Sequence, residues 1–284
     1  MSEIITLLNS KIEIKISTHG AELQSVIKKG EQLLWQGDPT FWTGRAPVLF
    51  PICGGLKDNK YIFDGKEYNL SRHGFARHSD FMLESADDKK AVFLLKSCED
   101  TKKVYPFDFE LRIIYTLCET SLKIVYEIKN TGNSSMYYSI GSHEAYACPE
   151  GIENYSVLFE KKEDLDSYIP ENSLISYNTI NFGVDTNLLK LRKELFDNDS
   201  VIFGNLKSRK VTLINNITGA EISVEFPDCP YMLIWTVQGA GYVCLEPWCG
   251  VADFVDSNYD ITNKKGIMRL EAGNTDIKTH IVTF

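Results

Sequence analysis

The chain has 284 residues, a formal net charge of −9, 43% hydrophobic residues and 12% aromatic ones. That apolar content supplies a sizeable core and excludes a disordered or fibrous chain. The acidic balance, with no compact basic run, argues against a nucleic-acid partner.

The N-terminus, Met1 to Leu8, is acidic and short, which is not the pattern of a signal peptide. No apolar run approaches the length of a membrane span. Lys11 to Ser17 alternates polar and apolar residues, and Glu22 to Lys29 repeats the pattern after Gly20, so two half-buried strands are predicted. Arg45 to Pro51 reads as a buried crossover with one arginine at its mouth. Ser71-Arg72-His73-Gly74-Phe75-Ala76-Arg77 gathers polar and charged groups around a glycine in a predicted loop, a common setting for function. Phe109 to Tyr115 and Ser121 to Ile128 are predicted as a hairpin turning at Cys118-Glu119-Thr120. Leu188 to Leu195 is the best helix candidate. Lys210 to Ile214 and Ala220 to Phe226 form a second hairpin, and strands at Tyr231–Val237, Tyr242–Leu245, Ile267–Leu270 and Ile277–Phe284 complete the chain. No Gly-, Ser- or Pro-rich linker divides it. The expectation is one all-β domain over residues 1–284, a large antiparallel sandwich with few short helices. The seven cysteines are odd in number and lack the C-x-x-C spacing. They read as reduced thiols of a cytoplasmic protein, with no metal site.

Two strand ends carry candidate chemistry. In Tyr242 to Trp248, Pro247 holds Glu246 extended. Counting by two places Tyr242, Cys244 and Glu246 on one face and Val243 and Leu245 on the other. Pro247 lacks a donor, so the strand is expected to end there or meet an edge. In Met136 to His143, the same count groups Tyr137, Ser139, Gly141 and His143, with Met136, Tyr138 and Ile140 facing a core. Ser139 and Gly141 are small and leave room for a ligand or a neighbouring side chain. Histidine holds a proton ready near neutrality, and a carboxylate beside it could take one. Taken singly, a solvated strand-end Glu and a core His are the ordinary readings of these residues.

Read together and in order, Gly20-Ala21-Glu22-Leu23, Leu34-Trp35, Pro47-Val48-Leu49-Phe50-Pro51, His73-Gly74-Phe75-Ala76-Arg77, Ser139-Ile140-Gly141-Ser142-His143 and Leu245-Glu246-Pro247-Trp248 resemble the aldose 1-epimerase (galactose mutarotase) family. The likeness runs nearly end to end and is greatest to its LacX-like branch, near the glucose-6-phosphate 1-epimerases. The resemblance implies a β super-sandwich with a sugar pocket on a concave face. It implies His143 as general acid and Glu246 as general base, opening and closing a hexose ring without a cofactor. His73 and Arg77 match sugar-contacting positions, Asp199 matches the family's aspartate, and Arg45 is a further candidate for binding a sugar or sugar phosphate. No nucleic acid or membrane partner is implied; the chain is expected as a monomer or homodimer.

One departure stands beside the acid: the family usually has proline after the histidine, and here Glu144 follows His143. Strand alternation turns Glu144 away from His143. A non-catalytic sugar-binding or sugar-sensing protein on the same fold is the alternative, with Glu144 its only hint. A glycosidase would need two carboxylates flanking the bond, and a His with one Glu argues against it.

Overall fold

The computed structural model describes residues 2–284; Met1, where the N-terminal reading begins, lies outside them. Strands take 51% of the chain and helices 8%, so the all-β expectation holds. Every strand pair within the sheets is antiparallel, and two large sheets face each other. The nine-stranded sheet runs in the order Thr186–Lys190, Tyr155–Glu163, Lys210–Asn215, Glu221–Glu225, Thr275–Thr283, Ser121–Asn130, Phe109–Cys118, Lys90–Lys96 and Met82–Ala86. Its strand Phe109–Cys118 alternates strictly: Phe109, Leu111, Ile113, Tyr115 and Leu117 point into the core, while the residues between them are half-buried.

The seven-stranded sheet holds Glu246 and the two short strands on either side of His143. Tyr242–Cys249 lies beside Tyr231–Trp235, followed by Val201–Phe203, Asp166–Glu171 and Leu174–Asn181. On its other side Tyr242–Cys249 pairs with two short strands, Ile140–Gly141 and Glu144–Ala147. All eight residues of Tyr242–Cys249 are buried, because this strand is covered on both faces. Val243 and Leu245 join the main core, packed with residues of the nine-stranded sheet. Tyr242 and Cys244 face the other way, against Trp35, Trp42 and Trp235. The period-two reading of this strand is therefore correct.

Both predicted hairpins form, as Phe109–Cys118 with Ser121–Asn130 and as Lys210–Asn215 with Glu221–Glu225. Three expectations are corrected. The helix expected over Leu188 to Leu195 is instead the strand Thr186–Lys190 and a 3-10 turn at Lys193–Phe196. Leu189 and Leu191 are buried at a spacing of two, and pairing with Tyr155–Glu163 overrides the helical propensity. Among the described residues there is one α-helix, Glu99–Val104, with Cys98 and Thr101 forming its capping box.

The second correction concerns Pro247, which neither ends its strand nor meets a sheet edge: Met232 pairs with it on one side. On the other side its carbonyl accepts from Ser142 N at 3.2 Å. A strand residue's N and C=O point to the same side, so the missing donor faces the gap between Gly141 and Glu144, where no ladder bond is required. Third, Tyr137 does not share a face with His143. The chain leaves the small sheet of Met136–Tyr138 at Ser139 and enters another at Ile140. Tyr137 packs on Phe63 and Phe107 instead.

Candidate active site

The interrupted strand is what presents His143. Gly141 pairs with Trp248 and Glu144 with Leu245; Ser142 and His143 fall between, outside the ladder. Gly141 is small because Trp248 demands it: a Cβ there would lie 2.7 Å from the indole Cδ1. Trp248 Nε1 in turn donates to Ser142 O at 3.0 Å, fixing the residue before His143. Gly250, whose φ is +123°, makes room in the same way for Ser139: a Cβ on it would meet Ser139 Oγ at 2.2 Å.

His143 Nε2 and Glu246 Oε2 lie 3.5 Å apart, with Glu246 1% exposed and His143 8%. Trp42 stacks on the His143 ring at 4.9 Å, and Trp235 and His73 meet it edge-on at 5.4 and 5.6 Å. Burial pushes Glu246 well above the usual carboxylate range, and the Glu144 and Asp199 charges add to it, while Arg72 opposes. Burial, followed by the charge of Arg72, lowers His143 to about 3. Both effects have one cause: a dry site disfavours the charged form of either group.

His73 sits at φ +68°, an uncommon conformation for a side-chain-bearing residue. The next residue, Gly74, has φ +69°, and a Cβ on it would lie 2.2 Å from Phe50 O. Gly54 N donates to His73 Nδ1 at 3.1 Å, and Arg72 Nε stands 3.2 Å from His73 Nε2. A neutral imidazole accepts at one nitrogen only. The backbone donor is fixed, so Nε2 carries the proton and the Arg72 group is the movable partner. Burial, followed by the charge on His143, keeps His73 well below its ordinary range and therefore neutral.

Asp199, also at positive φ (+84°), accepts from Trp235 Nε1 at 2.8 Å and lies 3.5 Å from Arg72 Nη2. Residues held in such backbone regions cluster at functional sites. Arg77 Nη2 donates to Arg72 O at 3.2 Å, and its buried Nε has no hydrogen-bond partner. Glu246 Oε2, His143 Nδ1 and Tyr242 Oη are likewise buried without one.

Five of the six residues singled out from sequence thus gather in one neighbourhood. Arg45 does not join them: its Nη2 donates to Gln36 O at 2.8 Å. Its backbone N instead helps to hold Glu22, whose Oε1 accepts from both Arg45 N and Ala46 N at 3.0 Å. Sequence reasoning missed Trp42 and Trp235, which come from distant segments and carry no local signal. Arg72 was legible only as a charge in the His73 loop. Glu144 faces the core, away from the His143–Glu246 pair, as strand alternation requires. This removes the hint that it disables the site.

A buried His–Glu pair walled by aromatic rings lies on one face of this β-sandwich, and the chain's family and relatives are those of isomerases acting on carbohydrates. The sequence profile described as aldose 1-epimerase matches residues 3–275, and the chain belongs to that family. It is 32% identical to the plasmid-encoded LacX protein of Lactococcus lactis subsp. lactis, over 98% of both chains. A galactose mutarotase related enzyme from Lactobacillus acidophilus has the same fold, with a TM-score of 0.95, 33% identity and coverage of 99% of this chain and 97% of that one. A galactose mutarotase-like protein from Lactobacillus casei follows at TM-score 0.93 and 29% identity, over 99% of each chain. Among the described residues no helix is long and apolar enough to cross a membrane.

Proposed function

We propose that the chain is a mutarotase that interconverts the α and β anomers of a hexose, with His143 as general acid and Glu246 as general base. The observation that carries this reading is the buried approach of His143 Nε2 to Glu246 Oε2 at 3.5 Å, with that Oε2 and His143 Nδ1 making no hydrogen bond. Both oxygens that react, the C1 hydroxyl and the ring oxygen, are bonded to C1, so one compact acid–base locus can serve both.

The proton count balances. Glu246 takes the proton of the C1 hydroxyl while protonated His143 gives its proton to the ring oxygen, and the C1–O5 bond breaks. The sugar stays neutral as an open aldehyde, and the protein pair passes from carboxylate and imidazolium to two neutral groups. Rotation about C1–C2 presents the other face of the carbonyl, and the reverse transfers close the ring. The desolvation that raises Glu246 and lowers His143 favours the discharged pair, and thus the open-chain intermediate. Each proton-transfer group supplies roughly 10²–10⁴-fold.

His73 Nε2–H, Asp199 and Arg77 are the sugar-binding groups in this reading, and Trp42 and Trp235 supply apolar walls. Arg72 is paired with Asp199 and Arg45 is turned to Gln36, which favours an uncharged hexose over a hexose phosphate. The test is polarimetry on fresh α-D-glucose, α-D-galactose and hexose 6-phosphates, with His143→Ala and Glu246→Gln alongside. Acceleration by the wild type, lost in both variants, supports the reading. Tight sugar binding with no acceleration favours a sugar-binding protein instead.

A further inference from the structure

A second buried His–Glu pair lies behind the site, on the opposite face of the same short strand. Glu144 Oε1 stands 3.0 Å from His280 Nε2, with the residues only 5% and 1% exposed. Glu144 begins Glu144–Ala147 of the seven-stranded sheet, and His280 lies in Thr275–Thr283 of the nine-stranded one. The contact therefore spans the core between the sheets. The His280 ring stacks on Tyr126 at 5.6 Å and 25°, which sets its plane. Glu144 Oε2 and His280 Nδ1 have no hydrogen-bond partner.

Stability alone is a poor reason for such a pair, since well-packed apolar residues often do as well or better. Its place in the chain suggests another. Ser142 and His143 have no ladder pairing, so His143 is held by what flanks it. Before it stands the Trp248 bond to Ser142 O; after it stands Glu144. We propose that Glu144 is a positioning residue for the reaction at His143 and Glu246: through His280 it clamps the chain that presents His143, and its negative charge acts on Glu246.

The groups around the Glu144 carboxylate are His280, Tyr115 and Tyr126 from the nine-stranded sheet, Tyr146 on its own strand and Cys244 on the neighbouring one. Arg72 and Asp199 act on Glu246 from the other side. Burial is the main cause that raises Glu246, and Glu144 reinforces it. A negative neighbour disfavours ionisation, so neutralising Glu144 lets Glu246 ionise at lower pH.

This inference rests on the mutarotase reading for its consequence but not for its test. Glu144→Gln keeps the shape and a hydrogen bond to His280 while removing the charge. Glu144→Met with His280→Phe removes both polar groups and leaves neither orphaned. The Glu246 carboxyl is followed by carbon NMR against pH in wild type and both variants. The expected result is a Glu246 midpoint below the wild-type value in both. In the double variant, where the clamp is gone, a fall in kcat of roughly 10- to 100-fold with little change in KM accompanies it, as for a slightly misplaced catalytic group. A folded Glu144→Gln protein whose Glu246 midpoint matches wild type, or a folded double variant with the wild-type kcat and KM, overturns the proposal. A wild type that leaves every sugar at its buffer rate sinks the mutarotase reading and leaves the midpoint comparison standing.

Discussion

The two His–Glu pairs are alike in chemistry and opposite in setting. His143 and Glu144 are consecutive residues, yet one meets Glu246 on the pocket face and the other meets His280 in the core. The pocket pair is looser, at 3.5 Å against 3.0 Å, and lies among aromatic walls and arginines. The core pair is closed in by tyrosines and spans two sheets. In our proposals the same two side-chain types serve proton transfer on one face and support on the other.

The largest effect that sharpens this contrast is on rate. Glu246→Gln and His143→Ala should each lower kcat by roughly 10²–10⁴-fold. Their melting temperatures should hold or rise, because a buried, incompletely partnered ionisable group is removed. A collapse of stability in Glu246→Gln would make the pocket pair structural and erase the distinction.

The core pair should respond the other way. Glu144→Ala strands His280 without its partner, and the loss should be about 1–3 kcal/mol in chemical denaturation. Next in size is pH dependence. The pocket pair works with one transferable proton, so activity should fall where a second proton binds and where the last one leaves. With His143 lowered to about 3 and Glu246 raised well above its usual range, the rate should stay level through mildly acidic pH. Its alkaline limb should lie above the ordinary carboxylate range and move to lower pH in Glu144→Gln. A limb unmoved in that variant would separate the two pairs electrically. The smallest effect belongs to Trp42→Leu, which removes the ring stacked on His143. We expect a loss of about 0.5–1.5 kcal/mol, read as weaker sugar binding in titration calorimetry.

What the sequence disclosed follows from the range of the forces involved. The face shared by Tyr242, Cys244 and Glu246 needed only the two-residue period of a strand, and it was legible. The outward turn of Glu144 was legible for the same reason. Its partner was not, since His280 lies 136 residues away and only the stacking of two sheets brings it near. Trp42 and Trp235 were hidden likewise, as were the reasons for Gly141 and Gly250, which are set by Trp248 and Ser139. The residues from Leu188 to Leu195 were misread because sheet pairing, a long-range term, outweighed local propensity. Pro247 was misread because a donor gap in the middle of a sheet requires the neighbouring strand to break at the matching point.

The central claim, that one buried His–Glu pair opens and closes a sugar ring, is tested most directly by exchange NMR on an equilibrium mixture of galactose anomers. The account predicts that wild-type protein speeds α–β exchange well beyond the buffer rate and that His143→Ala and Glu246→Gln, both folded, do not. Equal exchange with and without the wild type, across glucose, galactose and their 6-phosphates, would contradict it.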